Sequence, residues 1–181
     1  MTLRQDVVLA PEDGSHGPLL RLADDRLAPG TGYGRHGHRA VDVVAVVLAG
    51  GLVHRWRGDA GLAAGDVAVL RAGSGLAHDE VAGPDGARVL QTYLRAGEPD
   101  AAPSHTVLRG ASGWVDLARA DARLWVGRAA PGQVVELPPG LLVTAGEETI
   151  ASPQDGGPHR AGAGTLLVWQ LATARPDWAA F

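Results

Sequence analysis

The stretch GTGYGRHGHRAVDVV, residues 30–44, runs from a glycine-rich loop through His36 and His38 into valine-rich chain. In extended chain, residues at i and i+2 point to one side, so the two imidazoles share a face. Asp42 continues that side at i+6 if the extended conformation holds. A pair of the same kind follows in GLAHDEVA, where His78 and Glu80 share one face and Asp79 points the other way. Enough chain lies between the two pairs for a hairpin and a return strand. If the two strands are neighbours, three imidazoles and a carboxylate converge. Such a mixed nitrogen and oxygen set suits one divalent transition metal, Fe(II), Mn(II), Ni(II), Cu(II) or Zn(II), with positions left for water or substrate.

The remainder of the chain fits a strand context for these pairs. Its 26 glycines and 12 prolines punctuate short runs rich in valine and leucine. These runs are LLRLA (19–23), VDVVAVVLA (41–49), LVHRW (52–56), DVAVL (66–70), RVLQTYL (88–94), ARLWVGRA (122–129), QVVEL (133–137) and TLLVWQL (165–171). Short strands at close spacing, separated by turn signals, predict an all-β sandwich or barrel. LAGGLV at 48–53 reads as a tight hairpin turning at Gly50 and Gly51. Helical periodicity is weak and confined to residues 114–121 and the final RPDWAAF.

An internal echo divides the chain. APGTGYGRHGH begins at Ala28 and APGQVVELPPG at Ala130, and each half later carries a glycine-led apolar strand, AGDVAVL (64–70) and AGAGTLLVW (161–169). Two β domains of one kind are expected, residues 1–105 and 106–181. Aligned on their starts, the second half places Pro138 and Gly140 where the first has His36 and His38. It is also shorter by about a hairpin. The first domain is expected to carry the chemistry, and the second to be a degenerate packing partner without metal ligands.

With 181 residues, 45% apolar and 20% charged, the chain is long enough and apolar enough to bury a sizeable core. A net charge of -4 gives no electrostatic footprint for nucleic acid or an anionic membrane. The absence of cysteine excludes disulfides, thiolate zinc sites and cysteine nucleophiles. No stretch near the start reads as a signal peptide, and the longest apolar run, Val43 to Val53, is about half of what spans a bilayer. A soluble, cytoplasmic protein is the expectation. GTGYG lacks the strand–turn–helix unit of a dinucleotide fingerprint, and GSG at 73–75 lacks the spacing and helix of a nucleophile elbow.

Other polar residues are read more plainly. His54, followed by Arg55 and Trp56, reads as a rim or outward-facing residue, with a place near substrate as the alternative. His16, His105 and His159 sit in loop-like contexts, and Trp125 and Trp169 in apolar strands that read as core. Gln91 and Tyr93 give one polar face to VLQTYL, read as barrel-end packing with a pocket role as the alternative.

At these motifs the sequence resembles the cupin superfamily, whose pattern sets a glycine, five intervening residues and then HxH, with an acid nearby. Here those are Gly30, His36, His38 and Asp42. Within that superfamily it is similar to the pirin family. LRLADDRLAPGTGYGRHGHRAVDVVAVVLAGGLVHR resembles that family's APG turn, HPHR motif and hydrophobic strand ending in glycine. GLAAGDVAVLRAGSGLAHDE resembles its PGD turn followed by AGxGxxHSE. The resemblance covers most of residues 18–140, with VLQTYLRAGEPDAAPSH like the linker and ARLWVGRAAPGQVVELPPG like the second cupin.

The resemblance implies a bicupin, two β-barrel or jelly-roll domains, with one metal in the first. Carried over residue by residue, the ligands are His36, His38, His78 and Glu80, and the metal is first of all Fe(II). Some bacterial members are quercetin 2,3-dioxygenases, and the eukaryotic founder is a nuclear, iron-containing regulator of transcription. A metal-dependent dioxygenase acting on a flavonol or other small aromatic or enolic compound is therefore implied, with Glu80 as base as well as ligand. The alternative is a non-enzymatic metal-binding module that docks on a protein partner. The sequence departs from the family at Gly37, which replaces the proline of HPHR, and at Asp42, which replaces a glutamate. Asp42 would then orient a histidine or compete with Glu80. It departs again at Val69 and Leu70 after the PGD turn, and at Trp56, which replaces an acid of HRDS near the expected mouth.

Overall fold

The computed structural model describes residues 2–11 and 13–172. It divides into two compact units. The first comprises Leu20–Ala111 with the chain before Pro11, and the second Pro11–Leu19 with the chain from Ser112 onward. All regular structure among the described residues is β. No helix there is long and apolar enough to cross a membrane. Residues 114–121 are not helical, since they begin in a strand and continue as irregular chain. RPDWAAF lies outside the described residues.

In chain order the strands of the first unit are β1 (Leu3–Leu9), β2 (Leu19–Leu27), β3 (His36–His38), β4 (Val41–Arg55), β5 (Asp59–Ala63), β6 (Val67–Arg71), β7 (Leu76–Arg95) and β8 (Ser104–Leu108). Their main path runs β1-β2-β7-β4-β6-β8, with β3 paired to β7 and β5 to β4. The position dividing residues 1–105 from 106–181 falls inside β8, which pairs with β6 in the first unit.

The hairpin expected at LAGGLV does not form. Val41–Arg55 is one strand, and both of its halves pair with β7, from Val41↔Arg95 to Arg55↔Asp79. Bulges between Val47 and Ala49 and between Gly50 and Leu52, with Gly50 at φ 67°, bend the strand instead of reversing it. The bend lets both halves of β4 and β7 line one interior. Opposed pairs fix which residues face it: Val47↔Val89, Ala45↔Gln91 and Val43↔Tyr93 on one half, Leu52↔Ala82 and His54↔Glu80 on the other. Leu27, Ala45, Val47, Leu52, Leu62, Ala68, Ala82, Ala87 and Val89 form its apolar core. The polar residues on the same faces become the site.

The second unit holds β9 (Gly113–Val115), β10 (Ala122–Ala129), β11 (Val134–Leu137), β12 (Gly140–Ala145), β13 (Thr149–Gln154), β14 (Gly157–Arg160) and β15 (Gly164–Leu171). Five of these form a sheet in the order β13-β12-β15-β10-β9, and β11 pairs with β14. Trp169 is fully buried, and Trp125 packs partly buried against a cluster of Leu137, Leu142, Ala161, Leu166 and Val168. The repeated APG is a repeated turn: Thr31 N–H donates to Ala28 O and Gln133 N–H to Ala130 O, both at 3.0 Å. His159 lies half-buried in β14 rather than in a loop, while His16 is half-buried outside the strands.

Candidate metal centre

The opening stretch is pinned to β7 rather than free in solvent. Gly30 and Tyr33 donate through their amides to Ala82 O and Glu80 O, and Ala82 donates to Thr31 O at 2.8 Å. The approach is so close that a Cβ on Gly32 would lie 2.2 Å from Glu80 O, so only glycine fits. This seam feeds β3 onto the start of β7 with His36↔His78 and His38↔Leu76 opposed.

The result is a cluster of three imidazoles. His36 Nε2 and His78 Nε2 are 3.1 Å apart. His38 stands edge-on to His36 with ring centroids 4.7 Å apart, and 5.0 Å from His78. His36 Nδ1 donates to Gly34 O at 2.7 Å, which puts the proton on Nδ1 and leaves Nε2 with its lone pair facing the cluster. His38 Nε2 is buried without a hydrogen-bond partner. Burial lowers the His38 pKa, helped by the neighbouring His36. For His78 burial is again the main cause; Glu80 opposes it, and His36, His38 and His54 add to it, bringing the value to about 4. Both rings are therefore neutral at neutral pH and keep lone pairs to donate.

Glu80, on the same face of β7, is 1% exposed. Burial alone would raise its pKa, but His54, the hydrogen bond from Gln91 and the nearby His78 outweigh that and hold it at about 2. Gln91 Nε2 donates to Glu80 Oε2 at 2.9 Å, across the interior. Glu80 Oε1 lies 2.5 Å from His54 Nε2, but the ring N–H is out of line, and neither atom makes an aligned hydrogen bond.

Donor atoms fall into two overlapping sets, each with one atom per residue within 4.8 Å of the others: His36, His38 and His78, and His54, His78 and Glu80. The four residues expected from the sequence thus lie together, though not as one set, because His78 links the imidazole triad to Glu80. Among the described residues, the second unit contributes to neither set.

Four expectations need correction. Asp42 does not join the histidines: β3 ends at His38, Ala40 turns the chain at φ 55°, and the alternation restarts with β4. Val43 and Ala45 face the interior with Tyr93 and Gln91, so Asp42 takes the other face of β4, where it is buried. His54 is neither rim nor outward-facing. It is 2% exposed, because the period of β4 that turns Leu52 inward turns His54 inward too. His105 is not a loop residue; it lies in β8, opposite Leu70, with its Nε2 3.0 Å from His54 Nδ1. Gln91 takes a pocket role at Glu80 rather than barrel-end packing. The alternations Leu52/His54 and His105/Val107 carried the signal for both missed histidines.

Buried polar atoms need partners. Here His38 Nε2 and His78 Nδ1 have none within the chain, and His54 Nε2 and Glu80 Oε1 have only each other, without an aligned hydrogen bond. Neutral imidazoles beside an ionised carboxylate, with unsatisfied donor atoms, fit a divalent transition metal.

Known proteins agree with the fold. Residues 8–94 match the family model described as Pirin. The chain is 34% identical over 97 residues to a pirin-like protein of Caulobacter vibrioides, covering 52% of this chain and 42% of that one. Thus the chain spans less than half the length of that curated relative. The bacterial pirin YhhW of Escherichia coli, solved in complex with nickel(II), superposes with a TM-score of 0.68 at 20% identity over 94% of this chain and 92% of that one. A quercetin 2,3-dioxygenase from Acinetobacter baumannii gives 0.66 at 15% identity, over 96% and 86%. The architecture is that of the all-β bicupins. Through residues 8–94, just under half of its length, the chain is similar to the pirin family.

Proposed function

We propose that this chain holds one divalent transition metal in its first domain and uses it as a dioxygenase on a flavonol or other small aromatic or enolic compound. The observation that carries the reading is the convergence of His36, His38 and His78 beside the buried Glu80. The names of the Acinetobacter dioxygenase and the nickel-bound YhhW support the substrate class and the presence of a metal. Fe(II) is the first candidate, with Mn(II), Ni(II), Cu(II) and Zn(II) as alternatives. The second domain, without such a donor set among its described residues, takes no part in ligation.

In this reading His36, His38 and His78 supply neutral nitrogen donors and Glu80 the charge. When bound, the ion supplies Lewis acidity and a redox centre for an oxygen-bearing substrate and dioxygen. Gln91 fixes Glu80 Oε2, so the carboxylate cannot swing freely. Glu80 is ionised throughout the neutral range and always ready to accept a proton. Its low pKa makes it a weak base near neutral pH, so Glu80 serves first as the charged ligand and accepts a proton only from a hydroxyl as acidic as that of an enol or flavonol. Tyr93, whose ring lies 5.6 Å from that of His38, offers an aromatic edge for a planar substrate.

The test is oxygen uptake with quercetin and related enols by protein loaded separately with iron, manganese, nickel, copper and zinc. Consumption of both substrate and oxygen by at least one form is expected. If every form leaves these compounds unchanged under air, the dioxygenase reading fails.

A further inference from the structure

We propose that the centre has two seats for its ion, the second formed by His54, His78 and Glu80, with His105 orienting His54. The proposal rests on the metal-centre reading above and extends it with a ligand outside the His36, His38, His78, Glu80 set.

The second seat is built into the sheet. His54 and Glu80 are directly opposed on β4 and β7, and His78 stands two residues before Glu80 on the same face. All three are at most 2% exposed, and each supplies a donor atom within 4.8 Å of the other two. Each also brings a buried polar atom without an aligned hydrogen bond: His78 Nδ1, and His54 Nε2 and Glu80 Oε1, which lie 2.5 Å from each other. A proton on His54 Nε2 serves Glu80 alone, and the N–H is poorly aimed for it. A divalent cation draws on all three residues at once.

His105 completes the pattern. Its Nε2 lies 3.0 Å from His54 Nδ1, and the two rings stack with centroids 4.9 Å apart. Metal-bound histidines characteristically donate their other ring N–H to such a partner, which fixes tautomer and orientation. If His54 Nδ1 donates to His105, the Nε2 lone pair turns toward Glu80. The two seats share His78, and a second dication beside one carboxylate would be repelled, so they take one ion at a time. The outer seat, with half-buried His36 and His38, receives the ion. The inner seat withdraws it from solvent.

The test uses Co(II) alone as probe on the full chain, in four forms. These are the parent, a His36→Ala/His38→Ala chain that lacks the outer seat, that chain with His54→Leu, and that chain with His54→Cys. The parent sequence has no cysteine, so a thiolate-to-Co(II) charge-transfer band in the near ultraviolet comes from position 54 alone. The expected result is about one equivalent in the outer-deficient chain, with affinity lowered about tenfold or more. His54→Leu should abolish that binding, and His54→Cys should give the charge-transfer band. Circular dichroism verifies that each form is folded. If the outer-deficient chain unfolds, His54→Cys in the chain with both outer histidines gives the same spectroscopic reading. Co(II) bound by the parent but not by the folded outer-deficient chain overturns the second seat alone, as does Co(II) bound to His54→Cys chains without the band. A parent that binds no Co(II) overturns the metal centre itself.

Discussion

His36 and His78 face each other across the antiparallel ladder of β3 and β7, with their Nε2 atoms 3.1 Å apart. His36 already spends its Nδ1 proton on Gly34 O, so a neutral ring presents only a lone pair on this side. Without a cation, His78 must donate to it. With a metal bound as proposed, both rings would serve it as neutral nitrogen donors. The pairing of two short motifs thereby becomes a chemical site.

That pairing depends on Gly32. A Gly32→Ala change would set a methyl 2.2 Å from Glu80 O and push the 28–35 loop off β7. We expect metal affinity to fall by about 10- to 100-fold, as for lost supporting contacts at metal sites. Gly37→Ala serves as the control, since its Cβ would meet Leu76 O at 3.4 Å. Isothermal titration with Ni(II) on both variants checks the contrast; equal affinities would refute the role of the loop.

Gln91→Leu leaves Glu80 Oε2 buried without its donor. The metal-free protein should lose about 1–3 kcal/mol in urea denaturation, the cost of an unsatisfied buried acceptor. The Glu80 pKa should also rise, because one of the contacts holding it at about 2 is gone. An unchanged midpoint would show that water replaces the amide without cost.

Asp24 and Arg88 form a bidentate pair in the first unit, with Arg88 Nη2 2.6 Å from Asp24 Oδ2 and Nε 3.0 Å from Oδ1. Asp24 is 3% exposed. Arg88→Ala takes the bidentate hydrogen bonds from the buried Asp24 and leaves it the looser pairing with Arg26 Nη2 at 3.8 Å among its contacts, so it should cost up to about 3 kcal/mol. The double change Arg88→Met/Asp24→Leu should recover most of that loss. Denaturant midpoints decide it; a single variant as stable as the parent would contradict the assignment.

Asp66 ties β5, β6 and the chain after β8 together, accepting from the Ala63 and Gly110 amides and from Arg109. Burial alone would raise its pKa, but these bonds outweigh that and hold it below 3.8. With the folded pKa below the unfolded one, the contribution to stability is fully present above the unfolded value and lost as pH falls through the folded value. Asp66→Asn should therefore destabilise the protein at pH 7, by about 1–3 kcal/mol. It should also flatten the acid limb of the stability profile below about pH 4. Thermal melts across pH 2–7 test both; an acid limb as steep as the parent's would refute the linkage.

The sequence made the β class and the two histidine pairs legible because period-2 alternation is local. His36, His38, His78 and Glu80 needed only their spacing and a strand. Asp42 was misplaced because Ala40 takes a left-handed turn that a spacing argument cannot see. LAGGLV was ambiguous for a related reason: two glycines permit a hairpin or a bulged bend, and only the partner strand decides. His54 was hidden by its neighbours, since Arg55 and Trp56 suggested a rim although Leu52 already marked its face as buried. Its register against Glu80 depends on two bulges, which no local pattern encodes. His105 escaped because its strand is short and follows a loop rich in proline and alanine.

Metal content of purified, tag-free protein tests the central claim most directly, measured beside the folded His36→Ala/His78→Ala variant, which breaks both donor sets. About one equivalent of a transition metal in the parent, lost in the variant, is the predicted result. No metal in the parent after anaerobic loading with Fe(II), or equal metal in both proteins, would contradict it.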